Sequence, residues 1–370
     1  MKIGLNATCY NNRASGAKQR FIGLYSALFR RLPDTEFVIY EPIDCQVSKW
    51  FEGFENVSAR ETPIPSSGGR IHRFSAGIGY WGNAFKKDSF DIFEAMHLPL
   101  VRTNFGRSLL TIHDVRGLHS ENGLLGKSLF AHVLRKSLQQ TNHVVTVSEA
   151  MRNEILQFFP EASVSVVYNG LDQNLYNSIS TNDCQFFLKK YNLSEGFLLA
   201  VGHLESRKNY SRLIESLVIL KSRGIDCPLV IVGHDSGEGK AIRQQIDASG
   251  LKNSITLLTG LSDVEVRCAY LMCGLFVFPS LYEGFGIPIL EAMAAKRPMV
   301  LSKLPVFEEI TQGQSIYFSP TSEVSMADAI GLGLSSSSKR EQMIQFGCER
   351  VINFDFDSLA EKMAKVYRSI

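Results

Sequence analysis

Short runs of branched and aromatic residues alternate with amphipathic stretches along most of the chain. "KIGLNAT" predicts a first strand. "KQRFIGLYSALFRRL" follows, with Phe21, Leu24, Tyr25, Leu28 and Leu32 spaced as one face of a helix. "EFVIYE", "DIFEAMH", "LLTIHD", "HVVTVS" and "SVSVVY" predict further strands, and "KSLFAHVLRKSLQQ" predicts a helix among them. Ser148 is the expected N-cap of a helix through "EAMRNEILQFF", which Pro160 ends.

The run "NGLDQNLYNSISTNDCQ" is rich in Asn, Ser and Asp and breaks this rhythm, so it is expected to be an interdomain linker. Alternation then resumes with "FLLAVG", "NYSRLIESLVILKSRG", "PLVIVG", "KAIRQQIDASG", "SITLLTG", "SDVEVRCAYLMC", "LFVFPS" and "PMVLS". Strands alternating with helices predict mostly parallel sheets covered on both faces. Two such modules in tandem predict a cleft, with ligands beyond the carboxyl ends of the strands. The tail "FDSLAEKMAKVYRSI" predicts an amphipathic helix with Leu359, Met363, Val366 and Tyr367 on one side.

Composition narrows this picture. The 370 residues are 45% hydrophobic, enough for two packed domains, and 21% charged, as in ordinary globular chains. A net charge of +2 gives no reason to expect a nucleic-acid partner. Cys9, Cys45, Cys184, Cys227, Cys268, Cys273 and Cys348 are scattered without a Cys-x-x-Cys pair, which suits reduced thiols in a cytoplasmic protein. The start "MKIGLNATCYNN" reads as a strand and not as a signal peptide, and no apolar run is long enough to span a membrane.

Candidate chemistry gathers in two places. In "PSLYEGFGIPILEAM" the strand ending at Pro279 and Ser280 leads to Gly284 and Gly286, where a missing Cβ permits unusual dihedrals and close ligand approach. Pro288 suits the first turn of a helix, so Glu283 falls in the loop and Glu291 about one turn into the helix. The free N–H groups of such a helix start favour an anion, and a carboxylate beyond it suits a ribose diol. In "GHLESRKNY", Gly202 ends a strand, and Arg207 with Lys208 stands just before a helix. Adjacent cations there suit a diphosphate, Arg as a planar fork and Lys as a point charge. The loops follow successive strand units of one module and are expected to converge. His113 ends the strand "TIHDV", where it can meet a sugar hydroxyl, and Gly16 lies between the first strand and first helix, where it can border a phosphate. A solvated surface pair, a structural histidine and a plain strand–turn–helix are the alternatives for each motif taken alone.

Taken together, "GHLESRKN" and "SLYEGFGIPILEAMA" resemble the retaining glycosyltransferases of family 4, group 1 enzymes of bacterial surface polysaccharide synthesis with the GT-B fold. Gly16, His113–Asp114, "TVSEAM" at Thr146–Met151 and "VYNGLD" at Val167–Asp172 follow the family order. The resemblance implies two Rossmann-like domains facing each other across a cleft. Residues 1–175 would take the acceptor, 185–355 the nucleotide sugar, and 356–370 would form a helix crossing back to the first domain. It implies a hexosyl donor, GDP-hexose such as GDP-mannose or else UDP-hexose, and a glycan or lipid-linked acceptor. It also implies transfer with retention and without metal or cofactor.

By the same resemblance Arg207 and Lys208 hold the diphosphate, and Glu291 binds the ribose. Glu283 and the Gly284–Phe285–Gly286 backbone lie against the sugar, Gly202 lines the donor site, His113 reaches a sugar hydroxyl and the Gly16 loop approaches the phosphate. A lipid-linked acceptor implies peripheral contact at the inner face of the membrane, for which Trp50, Phe51, Trp81, Lys86 and Lys87 are the candidates, ordinary core and rim positions being the favoured alternative for them. Two features depart from the family. The first loop reads "SGAK" in place of paired glycines, and Lys296–Arg297–Pro298 stands where a small residue often precedes the proline. A nucleotide-sugar epimerase of the same fold and a non-catalytic sugar-nucleotide-binding subunit are the competing functions.

Overall fold

Each half of the alternating pattern folds into its own parallel sheet. The computed structural model describes residues 1–12, 15–67, 70–101, 105–119 and 123–370, with the side chains of residues 70–75, 78, 79 and 87 (Lys87 among them) outside that description. The chain divides into two units, Met1–Gly170 with Phe356–Ile370, and Leu171–Asp355.

The first unit holds β1 (Lys2–Asn6), β2 (Glu36–Glu41), β3 (Val57–Glu61), β4 (Ile92–Ala95), β5 (Arg107–Ile112), β6 (His143–Thr146) and β7 (Val164–Val166). All are parallel, in the order β3-β2-β1-β4-β5-β6-β7, so the chain reverses direction across the sheet between β1 and β4. That is the doubly wound order. Its central strands are buried along most of their length because helices cover both faces. The helix Gly16–Arg31 buries Phe21, Leu24, Tyr25 and Leu28 on the face its spacing marks out. Ser15 caps it by accepting from the Lys18 amide at 3.2 Å. The helix Phe356–Ser369 packs into the same core with Leu359, Met363, Val366 and Tyr367 buried. Gly23 makes room for this: a Cβ there would lie 2.2 Å from the Phe356 ring.

A buried carboxylate ties these pieces together. Glu94 in β4 is fully buried and accepts from Tyr25 Oη at 2.7 Å, Thr111 Oγ1 at 2.6 Å and Tyr367 Oη at 2.5 Å. Burial pushes the carboxyl above its ordinary value, and the three hydroxyls with the Arg20 cation offset only part of that. Arg20 is itself buried and donates to the Val167 and Tyr168 carbonyls at 3.0 and 2.7 Å.

The second unit holds β8 (Leu198–Val201), β9 (Leu229–Val232), β10 (Ile255–Leu258), β11 (Leu275–Phe278), β12 (Met299–Ser302) and β13 (Ile316–Phe318). The order is β10-β9-β8-β11-β12-β13, again parallel, with the reversal between β8 and β11. Leu198, Ala200, Ile231, Val277 and Val300 lie in one core with the inner faces of the covering helices.

The boundary between the two units, Gly170–Leu171, falls in the polar segment Asn169–Gln185, and that segment is helical in part: it contains the helix Asn174–Asn177 and the start of the helix Thr181–Lys190. Ser180 and Asp183 close a reciprocal capping box there, and Tyr176 is buried. The residues weighed for membrane contact divide between core and rim. Phe51 and Trp81 are core, at 3% and 8% exposure, packed among neighbouring aromatic rings, whereas Trp50 is half-buried and Lys86 exposed. No helix among the described residues is long and apolar enough to cross a membrane.

Replacing Tyr367 by Phe removes one donor from Glu94 while keeping the ring. The expected loss is about 1.5–3 kcal/mol of unfolding free energy, the range for hydrogen bonds to charged groups. Urea unfolding measures it, and a midpoint equal to that of the unaltered chain would show that this contact contributes nothing to stability.

Candidate active site

Ligands of parallel sheets bind where the strand order reverses, outside the carboxyl ends of the strands. In the second unit that place lies at the ends of β8 and β11, and the two motifs singled out in the sequence stand there. β8 runs into Gly202, and a short turn of helix, Ser206–Lys208, carries the cations before the helix Tyr210–Ser222 begins. β11 runs into Pro279–Gly286, and the helix Ile287–Ala294 starts with Gly286 as its N-cap and Pro288 in the first turn. Gly286 is at φ 148°, a conformation that favours glycine.

The two loops meet through charge. Lys208 Nζ and Arg207 Nη1 each lie 2.7 Å from Glu283 Oε1. Ser280 Oγ donates to the same oxygen at 2.7 Å. Arg207 also pairs with Glu205 through Nη2 and donates from Nη1 to the Tyr282 carbonyl at 2.8 Å. Its Nε is buried and has no acceptor among the described residues. Lys208 is only 7% exposed, and its ammonium sits 4.7 Å from the centre of the Phe278 ring. Two acids against two cations leave the cluster neutral as a whole.

Burial alone would raise the Glu283 carboxyl, but the Lys208 and Arg207 cations and the hydrogen bonds from Lys208 and Ser280 hold it below its ordinary value. For Arg207, too, the pull of Glu283 and Glu205 exceeds the cost of burial, so the guanidinium is held more firmly charged.

Backbone details explain why the lysine can lie where it does. A Cβ on Gly202 would stand 2.8 Å from Lys208 Cε, so only glycine leaves room for the side chain crossing it, and Gly202 is at φ 151° besides. Asn209 takes a left-handed conformation, and its side-chain amide donates to the Pro279 carbonyl at 3.0 Å and the Pro320 carbonyl at 2.8 Å. The Leu281 amide donates to the Arg207 carbonyl at 2.9 Å. The cationic turn is thereby fastened to the loop after β11.

Glu291 is placed differently. It lies in the helix Ile287–Ala294, is 9% exposed, and accepts from Tyr270 Oη at 2.8 Å and from the Tyr176 hydroxyl. Burial raises its carboxyl, with the two tyrosines pulling the other way. Phe285 is buried, its ring centroid 6.0 Å from that of Phe354. The structure therefore brings Gly202, Arg207, Lys208 and Glu283 into direct contact, and holds Glu291 nearby in sequence through a separate pair of hydroxyls. Tyr176, Tyr270 and Glu205 were not singled out in the sequence. The signal for Tyr176 was a lone aromatic in an otherwise polar run.

His113 and Gly16 belong to the first unit. His113 follows directly on β5, and burial, with a smaller contribution from the Arg20 cation, pushes its imidazole down to about 3. It is a neutral hydrogen-bonding group at neutral pH. Gly16 is the first residue of the helix Gly16–Arg31 rather than part of the loop, and Arg13 and Ala14 of that loop lie outside the described residues. No group of three or more His, Cys, Asp or Glu suited to a metal ion occurs among the described residues.

Removing Glu283 leaves two cations with one carboxylate in a mostly buried cluster. Glu283→Ala is expected to lower unfolding free energy by about 3 kcal/mol at neutral pH. The folded carboxyl is held low, so its stabilisation is complete above the unfolded value of about 4.5 and is lost as pH falls through the folded value. The difference between the variant and the unaltered chain should therefore shrink in acid. A difference that is absent at neutral pH, or that grows in acid, would contradict this account.

Residues 185–350 match the family "Glycosyl transferases group 1", and residues 41–175 match "Glycosyltransferase Family 4". The O-antigen chain mannosyltransferase RfbU of Salmonella typhimurium is 29% identical over 71% of this chain and 69% of its own length. The O-antigen chain mannosyltransferase B of Escherichia coli is 27% identical over 64% of this chain and 62% of its own, less than two thirds of that relative. Among solved structures, HepE of Anabaena in complex with UDP and glucose superposes with a TM-score of 0.76 over the full length of both chains at 20% identity, a likeness of fold. The chain thus has the GT-B fold and carries, in order, a region similar to family 4 glycosyltransferases and a region similar to group 1 glycosyl transferases.

Proposed function

We propose that the chain transfers a hexose, mannose or a close relative, from a nucleoside diphosphate sugar to a glycan or lipid-linked acceptor. The anomeric configuration is retained, and the product enters a surface polysaccharide such as O-antigen. The observation that carries this reading is the Arg207–Lys208 pair, fastened over Gly202 and steadied by Glu283 at the order reversal of the second sheet. Mannosyl transfer is supported by the names of RfbU and mannosyltransferase B. We take GDP-mannose as the preferred donor and a UDP-hexose as the alternative, UDP being the nucleotide in the HepE complex.

In this proposal the diphosphate engages the Arg207 fork and the Lys208 ammonium, which offset the charge that grows on the leaving phosphate. The buried Arg207 Nε, still without an acceptor, gives that side chain a donor to spare. The lone pairs of Glu291 not used by Tyr176 and Tyr270 accept from the ribose hydroxyls. Glu283 and the Gly284–Phe285–Gly286 backbone border the sugar. His113 hydrogen-bonds a sugar hydroxyl as a neutral imidazole, the Gly16 helix start approaches phosphate, and the first unit takes the acceptor. The bond from the anomeric carbon to the phosphate oxygen breaks as the acceptor oxygen bonds on the same face. The acceptor proton passes to the departing phosphate, so the step needs neither metal nor cofactor.

Lys208→Ala and Glu291→Ala are each expected to reduce kcat/KM for the donor about tenfold or more, on the order of 1.4 kcal/mol. Kinetics unchanged in either variant would remove that residue from the site. GDP should inhibit and should raise the melting temperature of the folded chain. Screening GDP-, UDP- and ADP-sugars by thermal shift identifies the donor. Proton NMR of the product tests retention, and an inverted anomeric centre would refute it. Conversion of donor without any acceptor would replace transfer with epimerisation, and binding without turnover across acceptors would replace it with a binding subunit.

A further inference from the structure

Away from the clasp at β8 and β11, the first unit carries an open cavity of about 460 Å³ at the carboxyl ends of β2 and β3. Asn12, Asp44, Gln46, Lys49, Trp50 and Glu61 line it. The order reversal of this sheet lies between β1 and β4, and β2 and β3 stand on the other side of β1. They are one and two strand spacings from it, about 5 and 10 Å. The cavity is thus set off from the crevice of its own sheet. Its walls are fixed from beneath. Val47 and Phe51 of the helical turn Val47–Phe51 are buried, which turns Lys49 and Trp50 outward. The Ser48 amide pins that turn by donating to the buried Glu41 Oε2 at 2.8 Å. Asp44 accepts from the Ser66 amide at 2.7 Å and from the Ser66 and Ser67 hydroxyls at 3.0 and 3.2 Å. The Lys18 ammonium donates to the Asn12 carbonyl at 3.3 Å and stands 4.5 Å from the centre of the Trp50 ring, which Tyr10 meets edge-on.

The lining says which ligand fits. The volume falls in the range of small-molecule pockets, about 300–1,000 Å³. Trp50 is half-buried and offers an apolar ring, while Asn12, Asp44, Gln46, Lys49 and Glu61 are polar and exposed. Their carboxylates, amides and ammonium supply hydrogen-bond acceptors and donors together. Asp44 and Glu61 outweigh Lys49, and the Lys18 cation over Trp50 only restores neutrality, so no net positive charge is present to hold a phosphate. A purely apolar ligand would strip water from these groups without replacing its hydrogen bonds. A neutral saccharide meets every demand: the C–H face of a pyranose packs on an indole, and its hydroxyls pair with carboxylates and amides.

We propose that this cavity is a saccharide subsite, stacking on Trp50 a neutral sugar ring of the acceptor that is distal to the reacting hydroxyl. The ligand class follows from the cavity alone, and its place in the reaction rests on the glycosyl-transfer reading. Calorimetric titration of the full chain without donor tests the first part. The probes are neutral trisaccharides of mannose, galactose, glucose and N-acetylglucosamine, with glucuronic acid and inorganic phosphate as anionic controls. At least one trisaccharide is expected to bind with a Kd of about 1 mM or tighter. Trp50→Leu and the double variant Gln46→Ala, Lys49→Ala should each weaken it about tenfold. Gln46 and Lys49 are exposed, so the double variant should keep its melting temperature and serve where Trp50→Leu does not fold. No binding by any trisaccharide at about 10 mM, undiminished binding in the variants, or a preference for the anions would overturn the proposal. In turnover with the bound trisaccharide as acceptor, the same variants should raise the acceptor KM and leave the donor KM unchanged. An unchanged acceptor KM, or a raised donor KM, would overturn the distal placement. Saccharide binding without any turnover would count against the transfer reading and leave the saccharide site standing.

Discussion

Glu283 receives three donors at one oxygen, and two of them come from a different loop of the sheet. That convergence fixes the carboxyl end of the second sheet. The strands β8 and β11 are neighbours only because the order reverses between them, and the loops leaving adjacent strands on opposite sides of a reversal open a crevice that helices do not fill. Lys208 crosses the backbone of Gly202 to reach the carboxylate, Asn209 adopts a left-handed turn to let it do so, and the Asn209 side chain returns to the loop after β11. Each local oddity serves the same clasp. A buried ion cluster of this kind is a poor source of net stability, and under the proposed function its value lies in holding cations at a fixed place before an anion arrives.

Much of this was legible in the sequence because it depends on local pattern. Branched runs become central strands, the Phe21–Leu28 face becomes core, and Ser148 caps its helix as an Ser at that position should. The cationic turn and the glycine loop were visible because glycine, proline and adjacent charges are rare together at a strand's end. What stayed hidden depends on distant partners. Nothing near Glu94 in the sequence announces that Tyr25, Thr111 and Tyr367 will surround it. Nothing near Glu291 announces Tyr270 or Tyr176. The segment around Tyr176 looked like a linker because its capping residues, Ser180 and Asp183, are also loop formers.

Two largely buried carboxylates of the second unit show how environment separates like groups. Glu283 and Glu291 are eight positions apart, yet one is held below its ordinary value by cations and the other above it by burial among hydroxyls. One therefore stays charged under all mild conditions, and the other is a weaker acid whose hydroxyl partners orient it. Sequence spacing alone assigns them to one motif; their neighbours give them different chemistry.

The discontinuity of the first unit has a consequence for biosynthesis. Its core includes Tyr367, hydrogen-bonded to Glu94, and has Phe356 packed against it over Gly23 and Gly170. These residues are translated after the whole of the second unit. The nascent amino-terminal sheet therefore waits, with an apolar groove and a half-solvated carboxylate uncovered, until ribosomal synthesis reaches the closing helix. The unit that begins first is the one that finishes last.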